Sequence, residues 1–323
     1  MKILVTGGLG FVGHRVVALL EALGHDVVIT DTRTTYGLIP QAELDYVMQE
    51  RVRNIRTTHI HSINITDAGG IDYLMRVHEP AMVIHLASFP RQKAVNANPQ
   101  LGSRAMSEGL LNLLEHSKQH GVKKFVYVSS SMVYGDFVGD CPEWSSCEPQ
   151  GQYGIMKLAG EWLVRDYHRR GCFDYTIVRP SAVYGPGDVE DRVVSRFLLS
   201  AMRDQTLRVH GPNESLDFTY VDDTASGIVA AAITDNDRIH TYNISRGHAR
   251  TLMEAAELAV SIAGAGRIEV VDRNQDYPRR GALNINCARD YLGFDPQINI
   301  EQGFVAYHDW LKNSLYWSPK AVS

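Results

Sequence analysis

Tyr153-Gly-Ile-Met-Lys157 sets a phenol and an ammonium four residues apart at the start of a helical pattern. That spacing puts both on one helix face. The lysine's charge favours the phenolate and lowers the tyrosine pKa from its usual value of about 10. A tyrosine so tuned takes a proton from an alcohol or returns one to a carbonyl. Ser129, Ser130 and Ser131 close the apolar run Lys124-Phe-Val-Tyr-Val. A hydroxyl at a strand end can hydrogen-bond the oxygen of a carbon that gains or loses hydride. Each pattern alone is common: Tyr-x-x-x-Lys arises by chance, and strand-end serines often bond the backbone.

A second chemical group opens the chain. Ile3, Leu4 and Val5 read as a buried strand, Gly7, Gly8, Gly10 and Gly13 as a loop, and Val16 to Leu23 as a helix. Such a loop lets backbone N–H groups approach a pyrophosphate, and the helix N-terminus favours its charge. The glycines satisfy G-x-G-x-x-G from Gly8 and G-x-x-G-x-x-G from Gly7, with the strand and helix that the motif requires. Asp26-Val-Val-Ile-Thr-Asp31 follows, an apolar run ending in an acid 18 residues past Gly13. An acid there binds ribose hydroxyls and repels a 2′-phosphate, which favours NAD over NADP. Arg33, two residues on, keeps NADP as the alternative.

These groups need a frame that brings strand ends together. Further strands are expected at Thr58–Ile65, Ala81–His85, Lys124–Ser129 and Tyr175–Arg179. Helices are expected at Gln41–Val52, Leu101–His120 and Tyr153–Arg170. Alternating strands and helices imply βαβ units and an α/β, doubly wound parallel sheet. The second half is mixed, with a helix at Leu252–Ala263, a strand at Ile268–Asp272 and helical periodicity at Phe304–Leu311. The expected division is a dinucleotide-binding domain over 1–179, rejoined by 218–245, and a smaller mixed C-terminal lobe within 180–323 that binds substrate.

The 323 residues suffice for a sizeable core. A net charge of −5 without a basic block argues against nucleic acid. No apolar run reaches the ~18 residues of a membrane span, and the N-terminus enters strand one without a leader, so a cytoplasmic protein is expected. Cys141, Cys147, Cys172 and Cys287 form no C-x-x-C pair and read as reduced structural thiols. The histidines look scattered, His59 and His61 read as one strand face, and no metal is expected.

Taken in order, the motifs resemble the extended short-chain dehydrogenase/reductase family, the group of NAD-dependent sugar epimerases and dehydratases. The matching pieces are Thr6–Gly13, Asp31, His85-Leu-Ala87, Ser129–Gly135, Tyr153-x-x-x-Lys157, Arg179–Pro186 and Asp217–Asp223. The resemblance implies a Rossmann-type fold, with Ser130 as catalytic hydroxyl, Tyr153 as acid/base, and Lys157 as its pKa partner and a ribose ligand. It also implies a dinucleotide against Gly7, Gly10, Phe11, Val12, Gly13, Asp31, Asn64, Ile65, Leu86 and Ala87, with Tyr153 and Lys157. Asn64 stands where the family usually has Asp. A homodimer through Leu101–His120 and Tyr153–Arg170 is implied as well.

Departures from the pattern narrow the chemistry. Dehydratases of the family carry Asp-Glu where this chain has Ser131 and Met132, and methionine cannot transfer a proton. Ala182 replaces a frequent Asn, and Leu216 replaces an Arg that grips a diphosphate. Arg279 and Arg280 match a later phosphate-binding segment, and Arg192 and Arg208 are further candidates, although exposed arginine is the default. Ser130 and Ser131 complete the expected substrate contacts. The expected activity is NAD-dependent nucleotide-sugar epimerisation at carbon 4, through a transient keto intermediate. The alternatives are a keto-sugar reductase or hydroxy-compound dehydrogenase, and a non-catalytic dinucleotide-binding protein.

Overall fold

The apolar runs of the first half become one parallel sheet in the computed structural model, which describes residues 1–34, 39–89, 91–188, 192–236 and 238–314. Its strands are β1 (Lys2–Thr6), β2 (Asp26–Thr30), β3 (Ile60–His61), β4 (Met82–His85), β5 (Lys124–Val128), β6 (Asp174–Pro180) and the late strand Thr241–Ile244. Across the sheet the order is Thr241–Ile244, β6, β5, β4, β1, β2, β3. The order reverses between β1 and β4, and ligands bind at such a switch point beyond the carboxyl ends. Register aligns those ends, because Thr6 lies opposite both Thr30 and His85.

Strands buried on both faces need helices on both faces. Helices Gly13–Ala22 and Val221–Ile233 cover one side, with Val16, Val17, Leu20, Ile228 and Ala232 against Ile3, Val5 and Ile29. Helices Ala68–His78, Gly109–Gln119 and Gln152–Arg169 cover the other, with Leu74, Leu113 and Val164 against Leu4, Val83 and Phe125. A separate core joins helices Val193–Met202, Leu252–Ala263 and Ile300–Lys312 around Phe197, Ala256 and Phe304. Leu252–Ala263 begins with a Thr251/Glu254 capping box and ends at Gly264 in the left-handed conformation, which fixes its limits.

Two expected elements differ. Only Ile60 and His61 of the Thr58–Ile65 run pair with β2. On either side, side chains take over the strand's backbone partners: Thr57 Oγ1 donates to the Val27 carbonyl and Thr30 Oγ1 to the Ile63 carbonyl, each at 2.7 Å. The Leu101–His120 helix is continuous but contains a π-helical turn at Arg104–Glu108, preceded by Pro99–Ser103. Of the loop that follows β2, residues 35–38 lie outside the described residues.

Candidate active site

The glycine loop closes on itself by short backbone bonds. Gly7 N donates to the Thr30 carbonyl at 2.8 Å and Gly10 N to the Gly7 carbonyl at 2.9 Å. Gly7 sits at φ +70°, and a Cβ there would meet Ala87 N at 2.7 Å. A Cβ on Gly13 would fall 2.1 Å from the Gly7 carbonyl oxygen. Gly7 and Gly13 therefore leave no room for a side chain, and the cradle is shaped for backbone approach to a ligand. Arg51, invisible to motif reading, clasps this loop. It donates from Nε and Nη2 to the Gly187 carbonyl, at 3.1 and 2.8 Å, and from Nη1 to the Leu9 carbonyl at 3.3 Å.

Asp31 sits at the exit of β2. One carboxylate oxygen accepts from Leu9 N at 3.0 Å and the other from Arg33 N at 2.8 Å. Two backbone bonds fix the carboxylate and leave lone pairs for a diol. A cavity of about 850 Å³ runs from this end over the sheet edge into the C-terminal lobe. Gly7, Gly10, Phe11, Val12, Gly13, Asp31, Asn64, Ile65, Leu86 and Ala87 all line it. Its size is in the range of cofactor and ligand sites. The glycine cradle and the anchored acid fit a dinucleotide.

At the far side of the switch point, β5 delivers the serines and helix Gln152–Arg169 delivers the phenol and amine. Ser129, Ser130, Ser131, Tyr153 and Lys157 line the same cavity as the glycine loop. Ser130 caps a short 3₁₀ turn, Ser131–Tyr134, its Oγ accepting from Met132 N at 3.2 Å. Its hydroxyl also lies near enough to the Tyr153 phenol to act on its pKa. Ser131 Oγ donates to Ser181 Oγ at 3.3 Å. Lys157 is 4% exposed and its Nζ donates to the Val128 carbonyl at 2.8 Å. That Nζ lies 5.9 Å from the centre of the Tyr153 ring.

The electrostatics correct one expectation. Burial raises the Tyr153 pKa, and the charge that works against this is Arg192, helped by the nearby Ser130 hydroxyl. Lys157 does not supply the depression, because burial pulls its own pKa down to about 7. An ammonium held in a dry site against a single carbonyl is only partly charged at neutral pH.

The four candidate arginines separate. Arg192, Arg208 and Arg280 line the cavity. Arg192 also approaches buried Asp188 at 3.7 Å, and Arg208 pairs with Glu269 at 3.1 Å. Arg280 Nε is closed off from solvent and has no hydrogen-bond partner among the described residues, and burial pulls the guanidinium down to about 10. Arg279 does not line the cavity: its side chain is exposed, while its N–H donates to Asp136 and its carbonyl accepts from Phe137. Of the two adjacent arginines, Arg280 is the one that lines the cavity. Arg273 lines the cavity and pairs with Glu214 at 3.0 Å. Buried Gln92 lines it too, its Nε2 donating to the Asp276 carbonyl at 2.6 Å. Neither carries a local signal: Gln92 opens the short helix Gln92–Ala97, and Arg273 lies in the loop after the strand Arg267–Val271.

A sequence profile of the NAD dependent epimerase/dehydratase family matches residues 3–245. A Bacillus subtilis (strain 168) protein described as an uncharacterized UDP-glucose epimerase is 27% identical, covering 98% of this chain and 99% of its own. A dTDP-glucose 4,6-dehydratase of Streptomyces antibioticus is 29% identical, over 99% of this chain and 95% of its own. Among solved structures, the UDP-glucuronic acid 4-epimerase of Bacillus cereus, in complex with UDP-glucuronic acid and NAD, superposes with a TM-score of 0.88. It is 26% identical and covers 97% of this chain and 99% of its own.

Proposed function

The chain belongs to the NAD dependent epimerase/dehydratase family, and from that premise we propose that it is a nucleotide-sugar epimerase inverting carbon 4. The observation that carries the reading is the meeting of Ser130, Tyr153 and Lys157 in the cavity that the glycine loop also lines. NAD, when bound, supplies a hydride acceptor and donor. Tyr153 takes the proton of the sugar hydroxyl and later returns it. Ser130 holds the same oxygen by a hydrogen bond. Lys157, anchored on Val128 beneath them, would hold the cofactor ribose.

Met132, buried in the 3₁₀ turn and lining the cavity, carries no transferable proton, which argues against dehydration of the kind named for the Streptomyces relative. Arg280, with its unpaired Nε, and Arg208 support a phosphate-bearing substrate despite Leu216. Leu216 and Ala182, apolar in that same cavity, favour a second reading: net reduction of a keto sugar or oxidation of a hydroxy compound.

Both UDP- and dTDP-sugars test the reading. Wild-type protein with NAD should change the isomer ratio at carbon 4 without net change in the absorbance of reduced cofactor. Tyr153→Phe should bind NAD and lose turnover. Stoichiometric NADH formation or consumption would establish the second reading instead.

The homodimer and cytoplasmic setting are further parts of this proposal. Leu111, Ile155 and Trp162 are 40%, 52% and 62% exposed on the two long helices, which supports pairing of copies there. The four cysteines are free, which suits a reducing compartment. Among the described residues no helix is long and apolar enough to cross a membrane.

A further inference from the structure

Away from the cavity, two helices bring together a donor set that the proposed reaction does not use. Asp72 lies on Ala68–His78, His116 on Gly109–Gln119, and His120 at the C-terminal end of the latter. His116 and His120 are four residues apart, and their ring centres are 6.2 Å apart on one helix face. Asp72 Oδ1 reaches across to both, 2.9 Å from His120 Nε2 and 3.6 Å from His116 Nδ1. The three donor atoms lie within 4.8 Å of one another.

We propose that Asp72, His116 and His120 bind a divalent transition metal, with zinc as the best match. An Asp72–His120 ion pair leaves His116 unexplained. Its Nδ1 is closed off from solvent, has no hydrogen-bond partner among the described residues, and faces the carboxylate from beyond hydrogen-bond range. A cation between the three atoms satisfies all of them. Metal–ligand bonds of about 2.0–2.2 Å at tetrahedral angles separate donors by about 3.3 Å, and the separations of 2.9 and 3.6 Å straddle that value. Two imidazoles and a carboxylate suit zinc, and a half-exposed Asp72 leaves the fourth position open to water. Arg76, on the same helix as Asp72, is the opposing charge. A bound ion would tie together the helices behind one wall of the cofactor cavity. Gly109 packs on Ile65 there, and Asn112 Nδ2 donates to the Ile65 carbonyl at 3.0 Å.

His59, His61 and His78 form a second histidine group, but His61 and His78 already bond each other at 2.9 Å. That group is the internal control. Tag-free protein, stripped with a chelator, is titrated calorimetrically with Zn²⁺, and Co²⁺ is followed by its visible absorption. One equivalent per chain should bind and raise Tm by a few degrees. Asp72→Asn and His120→Gln should each weaken it on the order of tenfold or more, and His116→Asn/His120→Gln should abolish it. His61→Gln should leave it unchanged. Circular dichroism of the metal-free variants checks that they fold. No binding by the wild type, equal binding by Asp72→Asn and His120→Gln, or loss only in His61→Gln would overturn the proposal.

Discussion

Arg179 and Glu161 form a two-point ion pair in the interior, Nε to Oε1 at 2.9 Å and Nη2 to Oε2 at 2.6 Å. Both side chains are buried. Glu161 Oε1 also accepts from Ser129 Oγ at 2.6 Å, and Arg179 Nη1 donates to Tyr134 OH at 2.8 Å. The pair therefore links β6, the serine turn after β5 and the helix of Lys157, one turn beyond that lysine. It holds the strand end and helix whose side chains meet in the cavity.

Breaking one side of this pair should cost more than removing both. Arg179→Met leaves the buried carboxylate with only the longer Arg165 Nη2 contact at 3.3 Å, and a loss on the order of 3–5 kcal/mol is expected. Arg179→Met with Glu161→Leu removes both charges and should recover much of that loss. Urea unfolding of the two proteins checks the order. A single variant as stable as the double would mean that the pair is not isolated from solvent in solution.

Lys157, in the role proposed for it, sets function against stability. Its folded pKa, pulled down to about 7 by burial, lies below the usual lysine value. The unfolded chain thus binds more protons between about 7 and 10.4. Stability from this group rises with pH through that window and falls toward neutrality, by up to about 1.4 kcal/mol per pH unit. Lys157→Met should lose activity yet be more stable than wild type at pH 7, with the gap narrowing by pH 9. Urea melts at both values test this, and a constant gap would show that burial does not depress the lysine.

Acid should act through two buried histidines. Burial lowers His14 and His85 each to about 3, with the Lys157 charge also acting on His85. Unfolding then takes up protons between about pH 6.5 and 3, so stability falls as pH falls through that range. Two groups together contribute about 2.7 kcal/mol per pH unit near pH 5. His85→Asn should reduce proton uptake at pH 5 by about one, read from the slope of stability against pH. An unchanged slope would place the His85 pKa near its ordinary value.

The candidate catalytic and cofactor residues are legible as a group because each stands at a strand end or on one helix turn. Asp31, Ser130, Tyr153 and Lys157 all reach the cavity that the motifs imply. What stayed hidden depends on distant partners. Arg51 looked like one residue of a helix, yet its bonds go to Leu9 and Gly187. Helix Val221–Ile233 is buried on several sides, so it shows no clean apolar stripe to read. The His116–His120 spacing was present in the sequence, but Asp72 joins it only when helices Ala68–His78 and Gly109–Gln119 pack together. Arg279 and Arg280 are indistinguishable in sequence, and only the fold exposes the first and turns the second into the cavity.

Ala182 carries strain at the rim of the site. It sits at φ +37°, in the left-handed region, while lining the cavity just after Ser181. An L-residue with a Cβ pays roughly 1–2 kcal/mol there. Glycine removes that strain but gives back part of the gain as unfolded-state entropy. Asparagine tolerates the conformation without glycine's freedom and would add a donor and an acceptor to the cavity. Valine, branched at Cβ, is the poorest fit. Ala182→Asn and Ala182→Gly should therefore stabilise by about 0.5–1 kcal/mol, and Ala182→Val should destabilise. Thermal and urea unfolding of the three variants give the ranking. If valine proved as stable as asparagine, the backbone at 182 would not be held in the left-handed region, and the strain argument would fail.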